Sequence, residues 1–329
     1  MASPRVLLIG GSLNQTRMMH KIGAALGPGL TCAYTPFFCD GVLRRLKPLG
    51  LLDMTIMGGR FRAMTDAYLR DHGLPVDEEG AGDDYDLVLT CSDLLLPRRI
   101  RKRPIVLVQE GMTDPENLAF HLVRRLGLPR WVASTSTTGL SLAYRRFCVA
   151  SEGYRRLFMA KGIPAERLVV TGIPNFDDCA EYSRNDFPLR GYVLVCTSDT
   201  RETLKWDRRR RFLRRCVAIA AGRPLVFKLH PNENWDRATR EIREVAPDAL
   251  VFGEGNAEEM VANCDVLLTQ YSTLTYVGLA LGKECHSYFD PEELRRLLPV
   301  QNGGTSARNI ASVCEKVLEE ESHPERRIA

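Results

Sequence analysis

Short apolar runs rich in Val, Leu and Ile alternate with longer amphipathic stretches along nearly the whole chain. Parallel strands need a long crossover between them, usually a helix, so this rhythm predicts successive β-α-β units. The runs read as continuously apolar rather than alternating, as strands covered on both faces do. A first series is Val6–Ile9, Leu87–Thr90, Ile105–Val108, Cys148–Ala150 and Val169–Thr171. A second is Tyr192–Cys196, Leu225–Leu229, Leu250–Phe252, Val266–Thr269 and Glu284–Tyr288. Between them lies the turn-rich Gly172-Ile173-Pro174-Asn175-Phe176-Asp177-Asp178, then a polar stretch to Arg190-Gly191. Such a composition shift marks a domain boundary. The expected architecture is α/β, with two Rossmann-like parallel-sheet domains, residues 1–178 and 179–329, facing across a cleft. The last helix, roughly Ala307 to Glu321, either finishes the second domain or crosses back onto the first.

With 44% hydrophobic and 26% charged residues, the chain is ordinary globular material, neither disordered nor fibrous. No apolar run approaches the ~18 residues that span a bilayer. Val6–Ile9 runs straight into Gly10-Gly11 and is too short for a signal-peptide core, so a soluble, cytoplasmic protein is expected. The 10 cysteines show no C-x-x-C pair. Most sit within apolar segments such as Phe147-Cys148-Val149, where free thiols act as small hydrophobes. The net charge of +4 is mild, yet basic residues clump at Arg98-Arg99-Ile100-Arg101-Lys102-Arg103 and at Arg208–Arg211 with Arg214-Arg215. Neither run has the interleaved aromatics that stack bases, so no nucleic acid partner is expected. The second run falls at helical spacing with Phe212, Leu213, Cys216 and Val217 inward, a solvated helix face. Arg98–Arg103 is the candidate for peripheral contact with an anionic membrane at its inner face.

Open parallel sheets bind ligands outside the carboxyl ends of their strands. In the first domain those ends are Gly10-Gly11-Ser12, Thr90-Cys91-Ser92-Asp93, Gln109-Glu110-Gly111 and Ser151-Glu152-Gly153. In the second they are Thr197-Ser198-Asp199-Thr200, His230-Pro231-Asn232-Glu233 and Gln270-Tyr271-Ser272-Thr273. Gly10-Gly11-Ser12 lacks the G-x-G-x-x-G dinucleotide spacing and reads as a tight turn that lets a ligand approach the backbone. No G-x-x-x-x-G-K-[ST] loop, H-E-x-x-H pair or D-x-D after a strand is present, so neither a P-loop, a catalytic metal nor another cofactor is expected. His230, at the end of the strand Val226 to Leu229, either donates to a phosphate oxygen or caps its loop. After Val266–Thr269, the hydroxyls of Ser272 and Thr273 open a helix whose free N–H groups would cradle an anion, a role compatible with N-capping.

Leu229-His230-Pro231, then Asp265-Val266-Leu267-Leu268-Thr269-Gln270-Tyr271-Ser272-Thr273, Gly282-Lys283 and Tyr288-Phe289-Asp290, resemble the CDP-glycerol glycerophosphotransferase-like family. More broadly they resemble GT-B glycosyltransferases, including capsule polysaccharide transferases and UDP-N-acetylglucosamine 2-epimerase relatives. Val169-Val170-Thr171-Gly172-Ile173-Pro174-Asn175-Phe176-Asp177 is similar to the V-x-G-x-P-x-x-D signature that closes the first GT-B domain. The likeness covers roughly residues 145–295 well and the first domain in outline.

The resemblance implies a nucleotide-activated donor held by the second domain, with His230 on its phosphates and Ser272 and Thr273 on the pyrophosphate. Lys228, Thr197, Ser198, Gln270 and Tyr271 complete that donor set. The acceptor falls to the first domain, beside Gly10, Gly11, Ser12, Ser92, Asp93 and Glu152. Where the glycerophosphotransferases carry the base in a W-H-G segment, this chain has Gln109-Glu110-Gly111. Glu110 is therefore the expected base, with Asp93, Glu152 and Asp114 in reserve. Gln270 also stands where the family often has Asp, and Thr273 where it often has Ser. The carboxylate tilts the reading toward a metal-independent inverting glycosyltransferase. It would act on a glycan, lipid-linked or small-molecule acceptor, through a hydroxyl or an amine, in bacterial glycan or glycosylated-metabolite synthesis. The alternatives are a CDP-glycerol-type polyol-phosphate transferase, a nucleotide-sugar 2-epimerase, which Ser272-Thr273 fits less well than a G-G-x-x-E-E start, and a non-catalytic nucleotide-sugar binding module.

Overall fold

The computed structural model describes residues 3–53, 55–82, 84–202 and 207–323. It divides into two compact units, Met1–Asp177 with Asn302–Ala329, and Asp178–Gln301. The first unit runs β1 (Arg5–Gly10), α1 (Leu13–Ala25), β2 (Thr31–Pro36), α2 (Gly41–Leu46), α3 (Gly59–Asp71), β3 (Leu87–Thr90), β4 (Ile105–Val108), α4 (Leu118–Leu126), β5 (Arg146–Val149), α5 (Glu152–Ala160) and β6 (Leu168–Val170). The second runs β7 (Val193–Cys196), α6 (Arg209–Ala220), β8 (Leu225–Lys228), α7 (Trp235–Val245), β9 (Leu250–Phe252), α8 (Ala257–Asn263), β10 (Val266–Thr269), α9 (Leu274–Ala280), β11 (Glu284–His286) and α10 (Pro291–Leu297). The last helix, α11 (Ser306–Ser322), belongs to the first unit.

Both sheets are parallel throughout, in the orders β2-β1-β3-β4-β5-β6 and β11-β10-β7-β8-β9. This is the two-sheet α/β architecture the apolar rhythm predicts. One strand escapes that rhythm. Thr31-Cys32-Ala33-Tyr34-Thr35-Pro36 is an edge strand whose first residues are exposed or half-buried, so it never forms a continuous apolar run.

The side chains of β1, β3, β4 and β5 form the first core, with Met18, Met19 and Ile22 of α1 packed on them. Alongside α1 lies α11, burying Ile310, Cys314 and Val317. Its docking explains the V-x-G-x-P-x-x-D segment. Asp177 accepts the Ser306 N–H at 2.8 Å, satisfying the start of α11. Gly172, at φ 81°, lies so close to the Ser306 hydroxyl that a Cβ would overlap it. In the second core, Phe212, Leu213 and Cys216 of α6 and Ala238 and Ile242 of α7 cover β7, β8 and β10. Val217, expected to face inward, is 36% exposed, because it lies at the edge of the stripe centred on Phe212 and Cys216. The cysteines are free thiols, half-buried at Cys32 and Cys285 and buried elsewhere.

Candidate functional site

Strand order reverses between β1 and β3 in the first unit and between β7 and β10 in the second. At such switch points adjacent loops part and leave room for a ligand.

In the first unit, the loops that follow β1 and β4, strands separated by β3 in the sheet, meet through side chains. Ser12 caps α1, accepting the Gln15 N–H at 3.2 Å, and its hydroxyl donates to Glu110 Oε1 at 2.9 Å. Gln15 Nε2 donates to Glu110 Oε2 at 2.5 Å. Both oxygens of this half-buried carboxylate are thus oriented by α1. Desolvation pushes the Glu110 carboxyl above its ordinary value, with the two donors pulling the other way. Gly10 and Gly11 let the chain's own side chains approach the backbone closely. A Cβ on Gly10 would meet the Thr16 hydroxyl, and one on Gly11 would overlap the Gln15 amide.

The reserve carboxylates have structural work. Asp93 is buried and accepts from Gly139 N at 2.9 Å, Ser141 N at 3.0 Å and Arg130 at 3.1 Å, so it is an anchor for the 139–141 loop and not an open acceptor-side group. Glu152 is exposed in the first turn of α5 and pairs with Arg155 and Arg156 on its own helix. Asp114 accepts the Thr135 hydroxyl at 2.9 Å. Ser92 closes a turn with Thr90.

In the second unit, three strand ends form one hydrogen-bonded cluster. The buried carboxylate of Glu233 accepts the His230 N–H at 3.0 Å and the Thr197 hydroxyl, and pairs with buried Arg209 at 3.0 Å. The His230 ring is half-buried; its Nδ1 accepts the Asn232 N–H at 3.2 Å, which leaves Nε2 as the ring's donor. Asn232 in turn donates to Asp199 at 2.9 Å. Ser198 donates to Gln270 Oε1 at 2.9 Å, and Gln270 Nε2 to Asp207 at 2.9 Å. Tyr271 is 54% exposed and meets Tyr288 and Phe289 edge-on at 5.3 and 5.2 Å. A cavity of about 690 Å³ opens here between Gln270, Tyr271 and Tyr288 and the Arg208, Arg211 and Arg215 side of α6.

Two donor-side groups have partners within the second unit. Lys228 is buried and its ammonium donates to the Leu229 and Gly253 carbonyls at 3.2 and 2.8 Å, a tie between the ends of β8 and β9. The start of α9 is not a row of free N–H groups. Leu274 N donates to Ser272 Oγ, Thr275 N to Ser272 O and Tyr276 N to Thr273 O, so the first turn satisfies itself. That leaves the Thr273 hydroxyl without a hydrogen bond among the described residues.

Sequence reasoning missed Gln15, Glu233 and Arg209 as organisers of these clusters, since each acts through a contact between distant segments. The Arg98–Arg103 run is partly engaged: Ile100 is buried, Arg101 donates to the Leu96 carbonyl, and Arg103 pairs with Asp84 at 4.0 Å. Among the described residues no group of three His, Cys, Asp or Glu side chains is placed to hold a metal ion. Nor is any helix among them long and apolar enough to cross a membrane.

No protein-family model matches the chain, and no curated protein matches its sequence. Solved structures do share its fold. The Neisseria meningitidis UDP-GlcNAc 2-epimerase bound to UDP-GlcNAc is 12% identical, with a TM-score of 0.59 over 95% of this chain and 100% of that one. The wall teichoic acid polymerase TagF is 11% identical, with a TM-score of 0.53 over 98% and 90%. Anabaena HepE in complex with UDP is 11% identical, with a TM-score of 0.53 over 99% and 100%. The fold is thus the GT-B arrangement of two parallel-sheet α/β domains.

Proposed function

We propose that the chain is an inverting, metal-independent glycosyltransferase whose second unit binds a nucleotide-activated sugar and whose first unit supplies the base. The observation that carries this reading is Glu110. It is a desolvated carboxylate at the carboxyl end of β4, with both oxygens oriented by Ser12 and Gln15 from the loop after β1 beside the switch point. A carboxyl group raised toward neutrality is a better proton acceptor than a free one, and such a base contributes typically ~10²–10⁴-fold.

In this reading Glu110 takes the proton of an acceptor hydroxyl as its oxygen attacks the anomeric carbon. The bond from that carbon to the diphosphate breaks on the opposite face, and the electron pair leaves with the nucleoside diphosphate. His230 Nε2–H donates to a phosphate oxygen, and the Thr273 hydroxyl is the second donor to that developing charge. Ser198 and Gln270, fixed by Asp207, line the donor side, and Tyr271 offers an exposed ring to the sugar or base. Similarity to structures that hold UDP-GlcNAc or UDP supports a nucleotide-sugar donor.

The test is thermal shift with UDP, CDP, CMP, GDP, dTDP and ADP, comparing wild type and His230→Ala. Ligand at ~100 times its Kd adds about 2.7 kcal/mol. One nucleoside diphosphate should raise the wild-type Tm and fail to raise that of the variant; no shift with any nucleotide overturns the reading. A second reading, nucleotide-sugar 2-epimerase, is favoured by the likeness to the Neisseria enzyme across its whole length. Release of nucleoside diphosphate without any acceptor would select it. Release of CMP from CDP-glycerol would select polyol-phosphate transfer, which the likeness to TagF supports.

A further inference from the structure

Helix α4 has nine residues and apolar side chains on two faces, of which the fold covers one. Phe120 and Val123 turn inward onto Ala133 and Leu140. Leu118, Leu122 and Leu126, spaced one turn apart, form the opposite stripe and are 75%, 40% and 63% exposed. Past Gly127 the chain turns and exposes Leu128, Trp131 and Val132 as well. Exposed apolar side chains are ordinary when scattered singly; a run of six within residues 118–132 is a patch that calls for a partner.

The charge of this segment says which partner. Residues 117–132 hold Arg124, Arg125 and Arg130 and no Asp or Glu. Arg130 is spent on Asp93. Arg124 lies over the Phe120 ring at 5.8 Å, and among the described residues neither it nor Arg125 has a carboxylate partner. A symmetric contact with a second copy would bring two such arginines from each copy together, with the exposed Glu116 just before α4 as the nearest carboxylate along the chain. An anionic bilayer surface supplies that charge, accepts leucine and tryptophan at the headgroup boundary, and lets arginine reach back to phosphate.

We propose that α4 and the segment through Val132 dock the chain on an anionic lipid bilayer. Leu118 lies at most ~29 Å of extended chain from Glu110, on the crossover that leaves the same strand end. Docking therefore holds that strand end near the membrane and, resting on the reading of Glu110 as base, points to an acceptor hydroxyl carried on a lipid.

Co-sedimentation of the full chain with vesicles of phosphatidylcholine and phosphatidylglycerol, 3:1, tests the surface against pure phosphatidylcholine. The wild type should partition onto the anionic vesicles. Leu122→Glu with Trp131→Glu should lower the partition coefficient by about tenfold or more, and Arg124→Ala or Arg125→Ala by about fivefold each. Leu49→Glu, an equally exposed leucine elsewhere in the first unit, should bind as wild type. The substituted side chains are exposed, so an unchanged Tm verifies that the variants are folded. Glu110→Gln should bind vesicles fully, which separates docking from the base assignment. Absent binding to anionic vesicles, or binding untouched by the double substitution, overturns the proposal. So does a solution dimer that the double substitution dissociates, since a second copy would then cover the patch.

Discussion

Ser12 does two jobs with one hydroxyl: it accepts the Gln15 N–H that opens α1 and donates to Glu110 Oε1 at 2.9 Å. The first turn of α1 and the end of β4 are thereby one unit, and Gln15 closes the second side of the carboxylate. The position of the proposed base depends on a helix cap almost a hundred residues away in the chain.

Gln15 should tune Glu110 and leave the rest of the unit alone. Its amide stabilises the charged carboxylate, so Gln15→Met, of similar size, removes a donor and moves the Glu110 pKa further up. The acid limb of kcat/KM against pH should shift to higher pH, with kcat at neutral pH falling about tenfold. An unmoved limb would show that the contact only packs.

Glu110→Gln should abolish turnover while raising stability at neutral pH. A carboxyl whose folded pKa is raised binds its proton more tightly in the folded state, so its charge destabilises the fold once pH exceeds the folded pKa. That penalty shrinks as pH falls through the folded value and is gone below the unfolded value of ~4.3. The variant should therefore melt above wild type at pH 7.5 and level with it near pH 4, at about 2–4 °C for each kcal/mol recovered. A variant that melts below wild type at pH 7.5 would contradict the desolvation.

These contacts mark the limit of what the sequence discloses. Runs such as Val266–Thr269 identify themselves because a strand buried on both faces must be apolar at each position. The edge strand Thr31–Pro36 is under no such demand and stays hidden. The place of Glu110 just after β4 is legible because the strand-end rule needs only topology, whereas its proposed role comes from the family resemblance. Gln15 is not legible, and Glu233, though the same rule places it at a strand end, hides its partners, because which distant group a buried polar side chain satisfies depends on packing. Lys228 shows a different limit: a cation beside His-Pro suggests phosphate, while its two carbonyl bonds come from packing that the sequence does not display.

Glu233 gathers the His230 N–H, the Thr197 hydroxyl and Arg209, and both members of its ion pair are almost wholly buried. Removing one charge of such a pair strands the other, at a cost of about 3–5 kcal/mol. Glu233→Gln should lower Tm by roughly 6–20 °C and weaken nucleotide binding with it. The paired replacement Glu233→Gln with Arg209→Met should recover most of the stability. Equal losses in the single and paired variants would show that the pair is not the source.

Lys228→Met separates an architectural lysine from a phosphate-binding one. Burial lowers the pKa of this ammonium, so holding its charge already opposes folding below the folded value, and that penalty fades as pH rises into the lysine range. The compensation is its two bonds, to Leu229 and Gly253, which join the ends of β8 and β9. Methionine fills much of the volume but leaves both carbonyls short of a donor, at about 1–3 kcal/mol. Tm should therefore fall by a few degrees while the nucleotide-induced shift keeps its size. A variant with the wild-type Tm and a tenfold weaker nucleotide affinity would return Lys228 to the phosphates.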